Sequence, residues 1–105
     1  MSNYNRFNDP KYIEWSKLVK ERDSYTCQLC NKTGGEIHAH HKDSWDIYID
    51  KRFNTNNGVT LCKNCHMTFH DIYGHGKNSK YQFNEFKKIL AMLKKIAKKK
   101  FELGR

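Results

Sequence analysis

Apolar side chains recur along this chain with two different periods. Tyr12, Trp15, Leu18 and Val19 stand three and four residues apart, which is the spacing of one helix face. Asp9-Pro10 suits the start of that helix, since Asp can accept from the first amides and Pro fits the first helical position. Its end is expected near Arg22 or Asp23. Glu36 to His41 alternates with the two-residue period of a strand. Val59-Thr60-Leu61 reads as a second short strand, preceded by the turn-forming Asn56-Asn57-Gly58. Cys62 to about Tyr73 then reads as a helix. Residues 42–56 form a polar and aromatic connection holding Trp45, Tyr48 and Phe53. Turns are expected at Gly34-Gly35 and Gly74-His75-Gly76. Phe83, Phe86, Ile89, Leu90, Leu93, Ile96 and Ala97 make one apolar stripe along a last helix over about 80–103, with Gly104 near its end. The order is helix, two strands, helix, helix, an α+β arrangement.

Composition narrows this. A chain of 105 residues is expected to be one domain, and only 37% hydrophobic residues leave it a thin core. The formal charge is +9, yet residues 77–105 carry ten Lys and Arg against only Glu85 and Glu102. The charge therefore belongs to the last helix. Lys87, Lys88, Lys94, Lys95 and Lys98 occupy the faces beside its apolar stripe. They read either as a solvated face on a docked helix or as phosphate contacts, and the two uses are compatible. A polyanion, with nucleic acid as the default, is the expected partner. No run of about twenty apolar residues is present, so no spanning helix or membrane partner is expected. Met1 to Pro10 is polar and unlike a signal peptide, which makes the cytoplasm the expected compartment. Truncation after Gly76 should then weaken DNA binding more than it alters any metal site.

Cysteine and histidine supply the candidate chemistry. Cys27-x-x-Cys30 and Cys62-x-x-Cys65 are two knuckles separated by 31 residues. In a reducing compartment such pairs favour metal over disulfides, and four thiolates suit a closed, structural Zn²⁺ site. Zinc binding would also supply folding free energy to the thin core. His66 and His70 stand at i and i+4 on the expected helix, so one face presents both. His40 and His41 end the first strand. Neighbours in a strand point to opposite faces, so both can join one site only if the chain twists or leaves the strand there. His38 reads as structural, His75 as exposed, and Asp43 and Asp46 as solvated charge.

Taken jointly, Arg22-Asp23-Ser24-Tyr25-Thr26-Cys27-Gln28-Leu29-Cys30, Ile37-His38-Ala39-His40-His41, Arg52-Phe53-Asn54-Thr55-Asn56-Asn57-Gly58-Val59-Thr60-Leu61-Cys62, Cys65-His66 and His70 resemble the HNH endonucleases in their cysteine-framed form. The resemblance covers about residues 12–73 and leaves the basic helix outside. It implies a small ββα-metal fold framed by a four-cysteine zinc site, with a helix before it and the basic amphipathic helix after it. By the same resemblance His41 is the general base that activates water, and His40, His66 and His70 hold one catalytic divalent ion on the scissile phosphate. Asn57 is the middle Asn of the motif, pinning the loop that orients the base; the nine-residue step to His66 favours it over Asn56. Lys42 departs from the family pattern, where an apolar residue commonly follows the paired histidines.

The implied activity is metal-dependent hydrolysis of DNA phosphodiester bonds, by nicking or double-strand cutting. A compact chain of this kind suits a phage or mobile element, in a bacterial or phage-infected cell. Three imidazoles suit Mn²⁺, Ni²⁺, Co²⁺ or Zn²⁺ better than Mg²⁺, although cellular availability also weighs. A double-strand cut would need a homodimer or two successive nicks. Two other readings stay open: a catalytically silent zinc-framed DNA-binding module, and an RNA nuclease.

Overall fold

The computed structural model describes residues 4–103, and Gly104 lies outside the described residues. Its main elements are α1 (Pro10–Arg22), β1 (Ile37–His41), β2 (Gly58–Cys62), α2 (Lys63–Tyr73) and α3 (Lys80–Leu103). Asp9 caps α1 by accepting from the Lys11 amide at 2.9 Å, with Pro10 in the first turn. Gly74, at φ +85°, ends α2 in the left-handed region that glycine tolerates. The two strands pair antiparallel, with Ile37 opposite Cys62, Ala39 opposite Thr60 and His41 opposite Gly58. None of the described helices is long and apolar enough to cross a membrane.

Alternation along these strands divides the interior. Ile37, Ala39 and His41 share a face with Gly58 and Thr60, while His38 and His40 share the other with Val59 and Leu61. On the first face, Trp15 and Val19 of α1 pack with Ala39. On the second, Val59 and Leu61 join Cys27, Leu29, Phe69, Phe83 and Phe86. Hydrogen bonds then fasten α1 to the chain entering β2. The Trp15 indole donates to the Asn54 carbonyl at 2.9 Å, and the Arg22 guanidinium donates to the carbonyls of Thr55 (2.8 Å) and Gly58 (2.9 Å).

Two expectations about the tail fail. Phe83 and Phe86 are fully inside the core and Leu90 packs against it, but Ile89, Leu93 and Ile96 are exposed. The apolar stripe therefore docks only through its first three turns, and α3 then projects from a molecule 61 Å long. Truncation after Gly76 would remove Phe83 and Phe86, so it tests the fold rather than DNA binding. Asp43 and Asp46 are likewise not simply solvated. Asp43 is buried and accepts from Lys51 Nζ (2.9 Å) and from the Lys80 amide (2.7 Å) at the start of α3. Burial disfavours its charge, but these donors outweigh that and hold the carboxyl below its ordinary range. Asp46 accepts from the Ser44 hydroxyl and from the Lys77 amide. Both carboxylates tie the long connection to the chain entering α3.

Gly58 is the tightest point between α1 and the sheet. A Cβ there would meet Val19 and would lie 2.7 Å from Trp15 Cζ2. Both neighbours are buried and cannot give way cheaply, so Gly58→Ala should lose about 1–3 kcal/mol of stability. A denaturant titration of the variant beside wild type measures this.

Candidate active site and zinc frame

The two cysteine knuckles close on each other. Cys27 opens a tight loop in which its amide donates to the Lys32 carbonyl (2.8 Å) and Asn31 adopts φ +66°. Cys62 and Cys65 lie at the start of α2, where the Cys62 sulfur accepts from the Cys65 amide. The four sulfurs all lie within 4.8 Å of one another, and Cys30 Sγ is 3.7 Å from Cys62 Sγ. A tetrahedral zinc with Zn–S bonds of about 2.3 Å sets S···S edges of about 3.8 Å, so the donors fit that ion. Their electrostatics agree. Burial opposes ionisation of Cys27, yet the amides of Cys62, Cys30 and Leu29 bring it down to about 7. Cys65 is pushed up by burial and by its sulfur neighbours, a repulsion that a divalent cation relieves.

A second set of donors lies on the α2 side of the sheet. His40, His66 and His70 each direct one ring nitrogen into a common space, all within 4.8 Å. His70 Nδ1 donates to the Gly74 carbonyl at 2.8 Å, which leaves its Nε2 as a lone pair. That nitrogen is 3.0 Å from His66 Nε2, and His40 Nδ1 is 3.2 Å from the same His66 atom. One imidazole nitrogen has a single hydrogen or a single lone pair, so hydrogen bonding cannot satisfy both contacts well. His40 Nε2 is buried without a partner among the described residues. Burial holds His40 well below its ordinary pKa. Burial, reinforced by the neighbouring imidazoles, brings His66 down to about 4. Three convergent imidazoles with an unsatisfied hydrogen-bond pattern fit a divalent transition-metal ion.

His41 occupies the opposite face of the strand. β1 continues through it and pairs it with Gly58, so the chain stays in the strand there, contrary to the expectation that it must twist or depart. Its ring stacks on Trp15 at 3.8 Å between centroids and 14° between planes. Its Nε2 donates to the Arg52 carbonyl at 2.8 Å, which leaves Nδ1 as the bare nitrogen. Burial lowers the His41 pKa to about 4, further aided by the charges of Arg6 and Arg52 and opposed by the Arg52 carbonyl. Asn57 is buried. Its amide group donates to the carbonyls of Asp43 (2.9 Å) and Lys51 (3.3 Å), and its oxygen accepts from the Asp43 amide (2.9 Å). It thereby pins the loop that carries the Arg52 carbonyl. Asn56 is exposed and bonds only locally, through its own amide to Asn54 Oδ1.

Both histidine faces open on one cleft of about 590 Å³, because a two-stranded sheet is too narrow to separate them. Residues 27–71 match the family model described as HNH endonuclease. Over this segment the chain is similar to that family. No curated protein and no solved structure matches the chain. Within the matched segment lie both knuckles, both strands, His40, His41, Asn57, His66 and His70, whereas α1 and α3 flank it. The family is one of nucleases, and the donor sets are those of a metal-binding protein.

Several neighbours of this site escape sequence reasoning. Arg6 and Arg52 both lie over Trp45, at 5.0 and 4.5 Å from the ring centre, and of the two Arg6 lines the cleft. Trp15 is recognisable from its helical spacing as a core residue, but not as the floor beneath His41. His75 is exposed and stacks on His70. Among the lysines of α3, Lys94 is partly committed to the fold, donating to the Leu29 carbonyl at 2.7 Å. Lys87 lines a second, smaller recess beside Lys42 and Arg22. Lys88, Lys95 and Lys98 are exposed.

The His41 environment can be read by NMR. Its ring should show the Nε2–H tautomer and remain neutral down to about pH 5, since the neutral form persists above a pKa of about 4. In the unfolded chain the ring protonates near 6.5, so falling pH should favour unfolding across the window from about 6.5 to 4. A His41 midpoint above 6 in a long-range ¹H–¹⁵N titration would contradict this environment.

Proposed function

We propose that the protein is a metal-dependent DNA endonuclease in which His41 is the general base. The observation that carries this reading is the anchoring of His41 Nε2 on the Arg52 carbonyl, beside three imidazoles that converge on one point. A neutral His41 with a bare Nδ1 can take a proton from water across the neutral range; the hydroxide so formed attacks phosphorus in line, the opposite P–O bond to the 3′ oxygen breaks, and that leaving oxygen takes up a proton from solvent. Asn57 is the positioning residue that holds the loop behind that base. His40, His66 and His70 would hold the catalytic ion, which when bound supplies Lewis-acid stabilisation of charge growing on the phosphate. Mn²⁺, Ni²⁺, Co²⁺ and Zn²⁺ suit this donor set better than Mg²⁺. Cys27, Cys30, Cys62 and Cys65 would hold a structural zinc that joins the first knuckle to the start of α2. Arg6, which lines the cleft, favours an anionic backbone there, and the projecting lysine-rich part of α3 favours further phosphate contacts away from it. Each chain has one such cleft, so a double-strand cut takes two copies or two nicks.

Supercoiled plasmid incubated with the zinc-loaded protein and Mn²⁺ or Ni²⁺ tests this directly. Wild type should nick it, and His41→Ala should be slower by roughly 10²–10⁴-fold. Equal cutting by both would remove His41 from its role. No cutting by wild type in any divalent metal would leave the silent DNA-binding module as the better reading, and preferential cutting of RNA would name an RNA nuclease. Metal analysis of the same preparation should find one tightly held zinc per chain.

The lysines are separable from the chemistry. Changing Lys88, Lys95 and Lys98 together to Gln should leave the thermal midpoint near wild type, since these side chains are exposed. For every phosphate that the helix then ceases to neutralise, the slope of log affinity against log salt should flatten by about 0.9 on duplex DNA. An unchanged salt slope would show that this part of α3 does not touch the substrate.

A further inference from the structure

We infer that Glu36 and His38 form a relay that locks His66 in the tautomer offering Nε2 to a metal ion. The inference rests on the reading of His40, His66 and His70 as the donor set. Its basis is a chain of hydrogen bonds whose direction follows from its two ends.

Glu36 Oε2 is 2.9 Å from His38 Nε2. An ionised carboxylate only accepts, so His38 Nε2 carries the hydrogen and, in the neutral ring, His38 Nδ1 is a lone pair. That Nδ1 lies 2.8 Å from His66 Nδ1. A bond of this length between two ring nitrogens needs one hydrogen, and His38 has none to give there. His66 Nδ1 must therefore be the donor, which leaves His66 Nε2 bare. The far side of the site is fixed independently, by the Gly74 carbonyl that takes the His70 Nδ1 hydrogen and leaves His70 Nε2 bare as well. Two lone pairs then face each other at 3.0 Å, an arrangement that repels until a cation lies among them. The relay thus does more than orient a ring: it forbids the hydrogen bond between His66 and His70 that would otherwise satisfy both nitrogens without metal.

The fold places the relay through strand periodicity. His38 is two residues before His40 and shares its face of β1, which brings it against α2 beside His66. Glu36 stands one residue before the strand, where its carbonyl accepts from the Lys63 amide at 3.0 Å as α2 begins. Lys63 Nζ also lies 4.0 Å from Glu36 Oε1. A carboxylate behind a histidine ligand is a common means of fixing its tautomer and raising its basicity. Here an extra imidazole is interposed between the two, so His38 and Glu36 are positioning residues rather than ligands.

Calorimetric titration of the zinc-loaded protein with Ni²⁺, paired with ¹⁵N-imidazole spectra taken before Ni²⁺ is added, tests the relay. Wild-type His66 should be the Nδ1–H tautomer. His38→Leu should shift His66 toward Nε2–H and weaken Ni²⁺ binding by roughly 10–100-fold. His38→Gln keeps a side-chain oxygen that can accept from His66 Nδ1–H, and it should restore most of the affinity. Glu36→Ala should weaken binding in the same direction as His38→Leu, with a smaller tautomer shift. A wild-type His66 found as Nε2–H overturns the relay. So does a His38→Leu variant with unchanged tautomer and affinity, or equal losses in His38→Leu and His38→Gln. Absence of Ni²⁺ binding to wild type would instead overturn the donor-set reading, while the spectra taken before Ni²⁺ would still decide whether the relay exists.

Discussion

The alternation of side chains across a five-residue strand is the constraint on which this structure turns. His40 and His41 are consecutive, so the strand must send one ring to each side of the sheet. Each side then requires its own cover. α1 supplies Trp15 to the His41 face, and α2 and α3 supply Phe69 and Phe83 to the His40 face. A broader sheet would bury the two rings in separate interiors. With only two strands, both reach the same cleft, and a proton acceptor and a cluster of lone-pair donors come to border one space from opposite sides of one backbone.

That narrow sheet cannot be held by its own ladder, since isolated pairs of strands are at best marginal in water. Sulfur and hydrogen bonding make up the difference at its two ends. At the Cys62 end, four cysteine sulfurs gather where the first loop meets α2. At the Gly58 end, Arg22 and Asp23 clasp β2 together, with the Asp23 carboxylate accepting from the Thr60 amide at 2.9 Å. The polar connection between the strands is closed by buried Asn57, bonded to main chain across the loop, and is tied by buried Asp43 to the Lys80 amide at the start of α3. These groups hold the carbonyl behind His41 and the first turn of α3 in one rigid assembly.

The same low polarity that packs this assembly also governs its protons. Burial depresses the proton affinity of His40, His41 and His66, so the rings remain neutral where a solvated histidine would be partly charged. Neutral imidazoles are the form in which His41 can accept a proton and the others can donate electron pairs to a cation. α3 divides its work along its length for a comparable reason. Phe83 and Phe86 give its first turns a place in the core, and beyond Leu90 the helix has no apolar surface left to cover it, leaving its lysines to solvent or to an anion.

Much of this was legible along the chain because it is local. The cap at Asp9-Pro10, the strand period before His41, the i, i+4 pair His66 and His70 and the paired knuckles each depend on residues within a few positions of one another. What crosses the molecule was not legible. Asp43 looked like solvated charge because Lys51 and the Lys80 amide reach it from other segments, and the stripe through Ile96 looked like core because a helical period records amphipathicity without saying what lies opposite. His38 looked merely structural for the same reason: its bonds run to Glu36 on one side and to α2 on the other. By itself, then, the sequence determined which side chains could ligate, cap and pack, since those capacities belong to residue type and short-range period. The tertiary structure alone decided which nitrogen of His41 and of His70 is bare, because that depends on the carbonyl that the fold brings to the other nitrogen.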